Sequence, residues 1–223
     1  MLVLAVSDTV NKNLYSTQIR ELAGNVDLII SCGDLPAFYL DYLASSLLKP
    51  LLYVCGNHDH YEEDDGDLDI YGNTNVAKYI SRKNRYKSFG GRNLDERIER
   101  IGKVSFAGLE GSFLYNRGAH QYTEFQMNWK IWHLKPRLYL NKIVTGRYLD
   151  VLVTHAPPYG VHDQTDRAHR GFKAFIKFIR KYKPKYLLHG HTHIYNFKEN
   201  RILDFEGTKI VNCYDYVFLD IKP

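Results

Sequence analysis

Six side chains with metal-binding chemistry are spread along the sequence, and each follows a short apolar segment. They are Asp8, Asp34, Asn57, His155, His191 and His193. Carboxylate and amide oxygens combined with imidazole nitrogens suit manganese, iron, zinc, cobalt or nickel better than calcium or magnesium. A closed structural site needs about four ligands. Six candidates, including a carboxylate able to bridge, therefore predict two divalent transition-metal ions.

Two such ions favour one kind of reaction. Cations about 3.5–4 Å apart can hold a phosphoryl group and lower the pKa of a water molecule between them. Metal-bound hydroxide then attacks phosphorus, while a residue that binds no metal protonates the leaving oxygen. His58, which follows Asn57, is the candidate acid, and Asp59 is predicted to orient it. These residues predict hydrolysis of a phosphate mono- or diester.

Five apolar segments precede the polar groups and are typical of buried β-strands. They are 2–6, 26–30, 51–55, 148–153 and 185–188. In an open α/β sheet, loops at the carboxyl ends of adjacent strands converge on one crevice. We therefore expect the six side chains to share a pocket. Segments 14–23 and 38–48 have the length and apolar content of crossover helices, so the first half is predicted to be β-α-β-α-β.

The second half contains further β-rich and helical patterns. The β-rich segments are 98–101, 104–109 and 201–221. The helical segments are 123–133, 134–143 and 172–182. Pro136 predicts a break between the first two helices, and 201–221 is expected to form antiparallel strands. No linker rich in Ser, Pro or Gly divides the chain, so we predict one domain over residues 1–223.

The composition suits a globular protein. Of the 223 residues, 44% are hydrophobic and 14% aromatic, which is enough for a continuous core. A formal charge of +5 and a pI near 8.9 mildly favour anionic partners. The three cysteines lack ligand-like pairing and are expected to be buried free thiols. The chain shows neither a secretory signal nor an apolar run of about 18 residues, so we expect a cytoplasmic protein with no membrane partner.

The polar motifs follow one another in a recognisable order. They are Asp8, Gly33-Asp34, Gly56-Asn57-His58-Asp59, His155-Ala156-Pro157-Pro158 and Gly190-His191-Thr192-His193. In this order the sequence resembles the calcineurin-like metallophosphoesterase superfamily. The resemblance implies an α/β fold, namely a four-layer αββα sandwich of two mixed sheets flanked by helices.

The resemblance also implies a role for each motif residue. Asp34 would bridge the two metals, and His58 would be the leaving-group acid. One metal site would consist of Asp34, Asp8 and His193. The other would consist of Asp34, Asn57, His155 and His191.

One position departs from the family pattern. The family usually opens with Asp-x-His, whereas this chain has Asp8-Thr9-Val10, and valine cannot ligate a metal. The first metal site should therefore bind more weakly or prefer a different ion. Three residues are candidate replacements, namely Asn11, His60 and His162.

Four further residues are candidates for contacting substrate. They are Asn116, Arg117, His162 and His169. An arginine offers a planar fork to phosphate oxygens, and the polar segment 162–170 closely follows the His155 loop. The competing interpretation of this segment is a helix N-terminus capped by Asp163 or Asp166. The sequence leaves both interpretations open.

Two charged stretches have simpler interpretations. The acidic run at 62–69 is expected to be a solvated loop rather than a cation site, because its carboxylates lack the ordered spacing of a calcium loop. The basic stretch at 78–100 is expected to be an exposed connection rather than a rim that faces an anion.

Two rival functions compete with that of a phosphoesterase acting on small esters. A nuclease would act on nucleic acid, but a chain this short leaves little room for a domain that selects a polymer, so a small phosphate ester or nucleotide is favoured. A catalytically inactive binding or scaffold protein is the other rival. Val10 favours the scaffold, and His58 argues against it, because a scaffold has no need of an acid without a metal role.

Overall fold

The computed structural model describes residues 1–59, 90–194 and 200–222. The acidic run at 62–69, residues 78–89 of the basic stretch, and His60 lie outside the described residues. The end of the basic stretch is not an exposed connection, because Gly91–Asn93 forms a strand that pairs with Leu51–Tyr53.

The first sheet is built mainly from the N-terminal half. Its strands are β1 (Leu2–Ser7), β2 (Leu28–Ser31), β3 (Leu51–Tyr53), β4 (Gly91–Asn93) and β13 (Asp215–Asp220), in the order β13-β1-β2-β3-β4. Strands β1 to β4 run parallel, and β13 pairs antiparallel to β1. The connecting helices are α1 (Ile19–Ala23) and α2 (Ala37–Leu47). The predicted β-α-β-α-β order is confirmed, although α1 is shorter than predicted.

The second sheet has six strands. They are β5 (Ile98–Ile101), β6 (Val104–Leu109), β9 (Val151–Thr154), β10 (Tyr186–His189), β11 (Ile202–Phe205) and β12 (Thr208–Asn212), in the order β11-β12-β10-β9-β6-β5. The four central strands are parallel and both edge strands pair antiparallel. A small pair, β7 (Ser112–Phe113) and β8 (Gln121–Tyr122), lies apart from both sheets. The remaining helices are α3 (Glu124–Thr145) and α4 (Lys173–Tyr182).

Three apolar cores separate four layers. Alternate residues of a strand point to opposite faces, so Val3 of β1 faces the core between the sheets while Leu4 faces α1 and α2. In the second sheet, Val151 faces the shared core and Leu152 faces α3 and α4. The order helix, sheet, sheet, helix confirms the predicted four-layer αββα sandwich of two mixed sheets. The assignment of one domain over 1–223 stays a prediction.

The predicted break at Pro136 is wrong. Helix α3 is continuous, and its N-terminus is fixed by Thr123 and Gln126, whose side chains each accept a hydrogen bond from the other residue's backbone N–H. Proline removes one intrahelical hydrogen bond, but Pro136 lies on the exposed face. Buried Leu134 and Leu138 continue the core contact on either side of it, and this packing holds the helix together through the proline.

The antiparallel arrangement predicted for 201–221 is only partly confirmed. Strands β11 and β12 form an antiparallel pair, but β12 runs parallel to β10, and β13 crosses to the edge of the first sheet. The last three strands of the chain are thus divided between the two sheets. In the described ranges, no helix has the length and apolar character that crossing a membrane requires.

Candidate metal centre and cavity

The chain turns sharply where the candidate ligands leave the strands. Asp8 follows β1 directly, Asp34 lies just beyond β2, and His191 lies just beyond β10. All three have left-handed backbones, with φ of 65°, 56° and 65°. Such a conformation is uncommon for residues other than glycine and costs of order 1 kcal/mol or more. It turns side chains from three separate strands toward one point above the sheet edges.

Two glycines allow these loops to approach one another. A Cβ atom at Gly56 would collide with the Asp34 carboxylate, and one at Gly190 would collide with the Ser7 hydroxyl. Any larger residue would force the loops apart. The glycines of both motifs are therefore required by close packing beside the ligand residues.

His155 is held in one orientation by the backbone of a neighbouring loop. Its Nδ1 donates to the Cys32 carbonyl oxygen at 2.8 Å, which leaves Nε2 as the nitrogen that can bind a cation. This Nε2 lies 3.3 Å from Oδ2 of Asp34 and 3.1 Å from Oδ1 of Asn57. A nitrogen and two oxygens therefore converge where the His155 ring is fully buried and the Asp34 and Asn57 side chains are nearly so.

His191 completes this group from the opposite side. Its Nε2 donates to the Ala168 carbonyl oxygen at 2.7 Å, and its backbone N–H donates to the Asp8 carboxylate at 2.9 Å. Ligand atoms of Asp34, His155 and His191 all lie within 4.8 Å of one another. Together with Asn57, this donor set fits a transition-metal ion.

The electrostatics of the group show what a cation would replace. Burial lowers the pKa of His155, but the Asp34 charge and hydrogen bond outweigh burial and raise it to about 9. Burial likewise raises the pKa of Asp34, yet His155 holds it well below its usual range. Burial and the charge on His155 lower the pKa of His191 to about 3. Asp34 therefore favours positive charge at this position, which a bound cation would supply.

The second candidate site has fewer donors. Nε2 of His193 lies 3.9 Å from Oδ1 of Asp8, and its ring stacks on Tyr214 at 4.7 Å. Burial raises the pKa of Asp8, and the Asp34 charge adds to that rise, so this pair of carboxylates also favours a cation nearby. Asp8, Asp34 and His193 are the candidate ligands on this side.

Two of the three predicted replacements for the missing histidine, Asn11 and His162, make other contacts, and His60 lies outside the described residues. The Asn11 amide donates to Asp215 at 2.8 Å, and its oxygen accepts from the backbone N–H groups of Asn13 and Leu14. These bonds use both ends of the Asn11 side chain to form the turn before α1. His162 instead shares a 2.9 Å contact with His189 and another with the Asn200 carbonyl.

Asp59 binds the main chain of the loops that carry the candidate ligands. One carboxylate oxygen accepts from the backbone N–H groups of Asp34 and Gly56 at 2.8 and 2.7 Å, and the other accepts from Leu35 at 3.1 Å. Burial and the nearby Asp34 charge raise the pKa of Asp59 to about 6. Asp59 therefore fixes the main chain of two ligand loops to each other, and its orienting role toward His58 stays a prediction.

A cavity of about 380 Å³ opens above these residues. Its lining residues are Asp8, Asp34, Asn57, His58, Tyr115, Ala168, His169, His191 and His193. Five of the six predicted ligands thus line one cavity, and the buried His155 contacts two of them from below. The expected convergence of strand-end loops is observed.

The family assignment follows from a match over most of the sequence. The model of the family described as calcineurin-like phosphoesterase matches residues 1–195. The chain belongs to this family. The comparison with curated proteins gives no match.

Solved structures show the same fold. For TT1561 of Thermus thermophilus, the TM-score is 0.63 at 16% identity, with 99% of this chain and 94% of that chain covered. For GAP50, described as the anchor in the inner membrane complex of Plasmodium, the TM-score is 0.50 at 13% identity, with 96% and 71% covered. At these identities the similarity to this calcineurin-like phosphoesterase concerns the fold alone.

Only one of the four residues predicted to contact substrate lies at the cavity among the described residues. His169 lines it, with its ring 5.1 Å from that of His191. Asn116 accepts hydrogen bonds from Gly118 and Gln121, Arg117 is exposed in the same loop, and His162 contacts His189. These three residues serve loop structure or face solvent.

The polar segment 162–170 contributes Ala168 and His169 to the cavity lining and does not form a helix N-terminus. Asp163 accepts from the N–H groups of Gly160 and Gly171, and Asp166 accepts from that of His169. The N–H groups at the start of α4 are instead bound by the Glu124 carboxylate of α3. The alternative that Asp163 or Asp166 caps a helix is therefore wrong.

Sequence reasoning missed Tyr115 and a buried charged group around Glu110. The Glu110 carboxylate contacts His120 at 3.0 Å, Tyr122 at 2.5 Å and Lys130 at 3.8 Å. Lys130 also pairs with Asp95 at 2.6 Å. These residues show no motif spacing, and only the packing of β6, β8 and α3 brings them together.

Proposed function

We propose that this calcineurin-like phosphoesterase hydrolyses a phosphate mono- or diester and depends on divalent transition metals. The convergence of Asp34, Asn57, His155 and His191 at one end of a cavity is the observation that carries the proposal. Nitrogen and oxygen donors placed this way suit manganese, iron, cobalt, nickel or zinc. The orientation of His155 by the Cys32 carbonyl supports a ligand role over a purely structural one.

The proposed centre holds two metals of unequal affinity. Asp34, Asn57, His155 and His191 would hold one ion, and Asp34, Asp8 and His193 would hold the other. When bound, the metals would supply the positive charge that activates water and stabilises the phosphoryl oxygens. Val10 provides no donor, so the site with Asp8 and His193 is the weaker one.

His58 is the proposed leaving-group acid. Its backbone N–H donates to Oδ1 of Asp34 at 2.8 Å, which fixes the residue beside the centre, and the residue lines the cavity. The imidazole would give its proton to the departing ester oxygen, a contribution of about 10²- to 10⁴-fold in rate. This use of His58 favours an enzyme over a binding protein that lost its activity.

The cavity favours a small substrate. Its volume of about 380 Å³ is at the small end of the range for ligand pockets, which suits a small phosphate ester or a nucleotide better than a nucleic acid chain. His169 and the Tyr115 hydroxyl border the space beside the centre, and we assign them contact with the phosphate or its ester group. A cytoplasmic location remains part of the proposal.

Turnover of generic esters tests the proposal. Chelator-stripped protein is assayed with para-nitrophenyl phosphate and bis-para-nitrophenyl phosphate while each metal is returned singly. We expect at least one metal to restore hydrolysis in the wild type and not in Asp34→Asn. The preferred ester distinguishes a monoesterase from a diesterase. Bound metal without turnover of either ester would support the scaffold alternative and contradict the proposal.

A further inference from the structure

Helix α3 presents apolar residues on two opposite faces. One face packs against the second sheet through Met127, Ile131, Leu134 and Leu138. We call the opposite face the α3 stripe. Its large apolar residues are each between 45% and 81% exposed. These are Phe125, Trp129, Trp132, Tyr139, Leu140, Ile143 and Val144. A helix that only covered the sheet would carry polar residues on this side.

The α3 stripe is larger than the apolar patches of ordinary monomers. Aromatic side chains have areas of about 150–250 Å² each, so the exposed fractions together leave on the order of 800 Å² of apolar side chain accessible. Contiguous patches on monomers rarely exceed a few hundred Å². One partner in a standard protein interface contributes about 800 Å². The exposed apolar area of the α3 stripe therefore matches the area that one subunit contributes to a stable dimer interface.

The spacing along the stripe is that of packed helices. Phe125, Trp129, Trp132, Pro136, Tyr139 and Ile143 alternate steps of four and three residues. This is the repeat that keeps one seam of a helix facing a neighbouring helix. The rings of Trp129 and Trp132 already stack at 5.0 Å and 15°, so they present one rigid surface.

We propose that the α3 stripe is the interface of a symmetric dimer, in which α3 packs antiparallel against α3 of a second copy. A twofold axis that crosses the stripe between Trp132 and Pro136 makes the stripe complementary to itself. Phe125 then faces Ile143 of the partner subunit, and Trp129 faces Tyr139 of the partner subunit. Trp132 faces Pro136 of the partner subunit at the axis.

Sedimentation velocity of the full chain over a wide concentration range tests the dimer. We expect a species of twice the 26.0 kDa monomer mass. Replacing a central interface aromatic typically weakens association by about 30-fold or more, so Trp132→Glu should shift the equilibrium to monomer. The matched control is Phe38→Glu on α2, where a phenylalanine is 59% exposed outside the stripe. Circular dichroism and thermal melting verify that each variant folds. If Trp132→Glu does not fold, Ile143→Glu takes its place in the experiment.

Cysteine cross-linking tests the orientation. The three native cysteines are buried, so introduced surface thiols react alone. The double variant Phe125→Cys/Ile143→Cys should form a disulfide-linked dimer under mild oxidation. Neither single variant should form this disulfide. In the antiparallel pair, the two copies of the same introduced cysteine would lie about 27 Å apart along the helix axis, at a rise of 1.5 Å per residue. Efficient linking of the single variants would show a parallel pair and overturn the proposal.

Two other results would also overturn it. The first is a monomer at every concentration. The second is a monomer that binds vesicles of phosphatidylcholine and phosphatidylglycerol through the stripe, with binding lost in Trp132→Glu, since exposed tryptophans beside lysines also suit an anionic lipid surface. The dimer is independent of the proposed hydrolysis, so either can fail without the other.

Discussion

The Asn57 amide donates a hydrogen bond of 3.1 Å from Nδ2 to the hydroxyl oxygen of Tyr115, although the two residues are 58 positions apart. This bond decides which end of the amide faces His155. With the nitrogen engaged, the oxygen is left at 3.1 Å from Nε2 of His155, where a metal ligand is required. Tyr115 is therefore a positioning residue for the candidate metal centre.

Tyr115→Phe should weaken binding at the stronger metal site by about 10-fold or more, as is typical when the partner of a ligand is lost. The reason is that the Asn57 amide can then rotate. Calorimetric titration of chelator-stripped protein with manganese or cobalt measures the effect. Tyr139→Phe, on the exposed side of α3, is the matched control. Equal affinity in both variants would show that Tyr115 does not orient the amide.

Metal binding should occur in two unequal steps. We expect one equivalent to bind tightly and a second to bind more weakly, because Val10 offers no donor beside Asp8. His155→Ala should remove the tight step, and His193→Ala should remove only the weak one. Equilibrium dialysis with metal analysis counts both. Two equally tight equivalents in the wild type would show that a further residue replaces the missing histidine.

The strand-end placement of the ligands could be predicted from sequence, whereas their supporting contacts could not. Parallel strands bring their carboxyl ends to one edge, so Asp8 and Asp34 of the first sheet meet whatever the loop details. His191 follows β10 of the second sheet, and the packing of the two sheets brings it to them. The roles of Asp59 and Tyr115 depend on which backbone and amide groups face them. The left-handed turns of the loops decide which groups face these residues, and no local sequence pattern predicts those turns.

The errors in the fold have a similar origin. Pro136 predicted a break because local propensity disfavours proline within a helix, but the apolar contacts of Leu134 and Leu138 outweigh that preference. The β-rich segment at the C-terminus predicted antiparallel strands correctly for β11 and β12. Its division between two sheets depends on distant strands, which the segment itself does not reveal.

The ion pair between His120 and Glu110 should make stability depend on pH. The hydrogen bond to Glu110 raises the pKa of His120 above 6.5, so the folded protein holds this proton more tightly than the unfolded chain. The stabilisation is fully present below pH 6.5 and is lost as the pH rises through the raised pKa.

Comparison with His120→Asn isolates this contribution. Asparagine tolerates the left-handed backbone at this position, where φ is 47°. The wild type should be more stable by about 1–3 kcal/mol at mildly acidic pH, and the difference should shrink toward alkaline pH. A difference that is constant across pH in urea unfolding would mean that His120 is not charged in the folded protein.

Hydrolysis of two esters that differ in leaving group tests the central claim most directly. With the best activating metal, wild type and His58→Ala are compared on para-nitrophenyl phosphate and phenyl phosphate. Phenolate is the poorer leaving group and depends more on protonation, so loss of the acid should reduce its hydrolysis by about 10²-fold or more and that of the nitrophenyl ester far less. Equal losses on both esters would contradict His58 as the acid. Absence of turnover in the metal-loaded wild type would contradict the phosphoesterase itself.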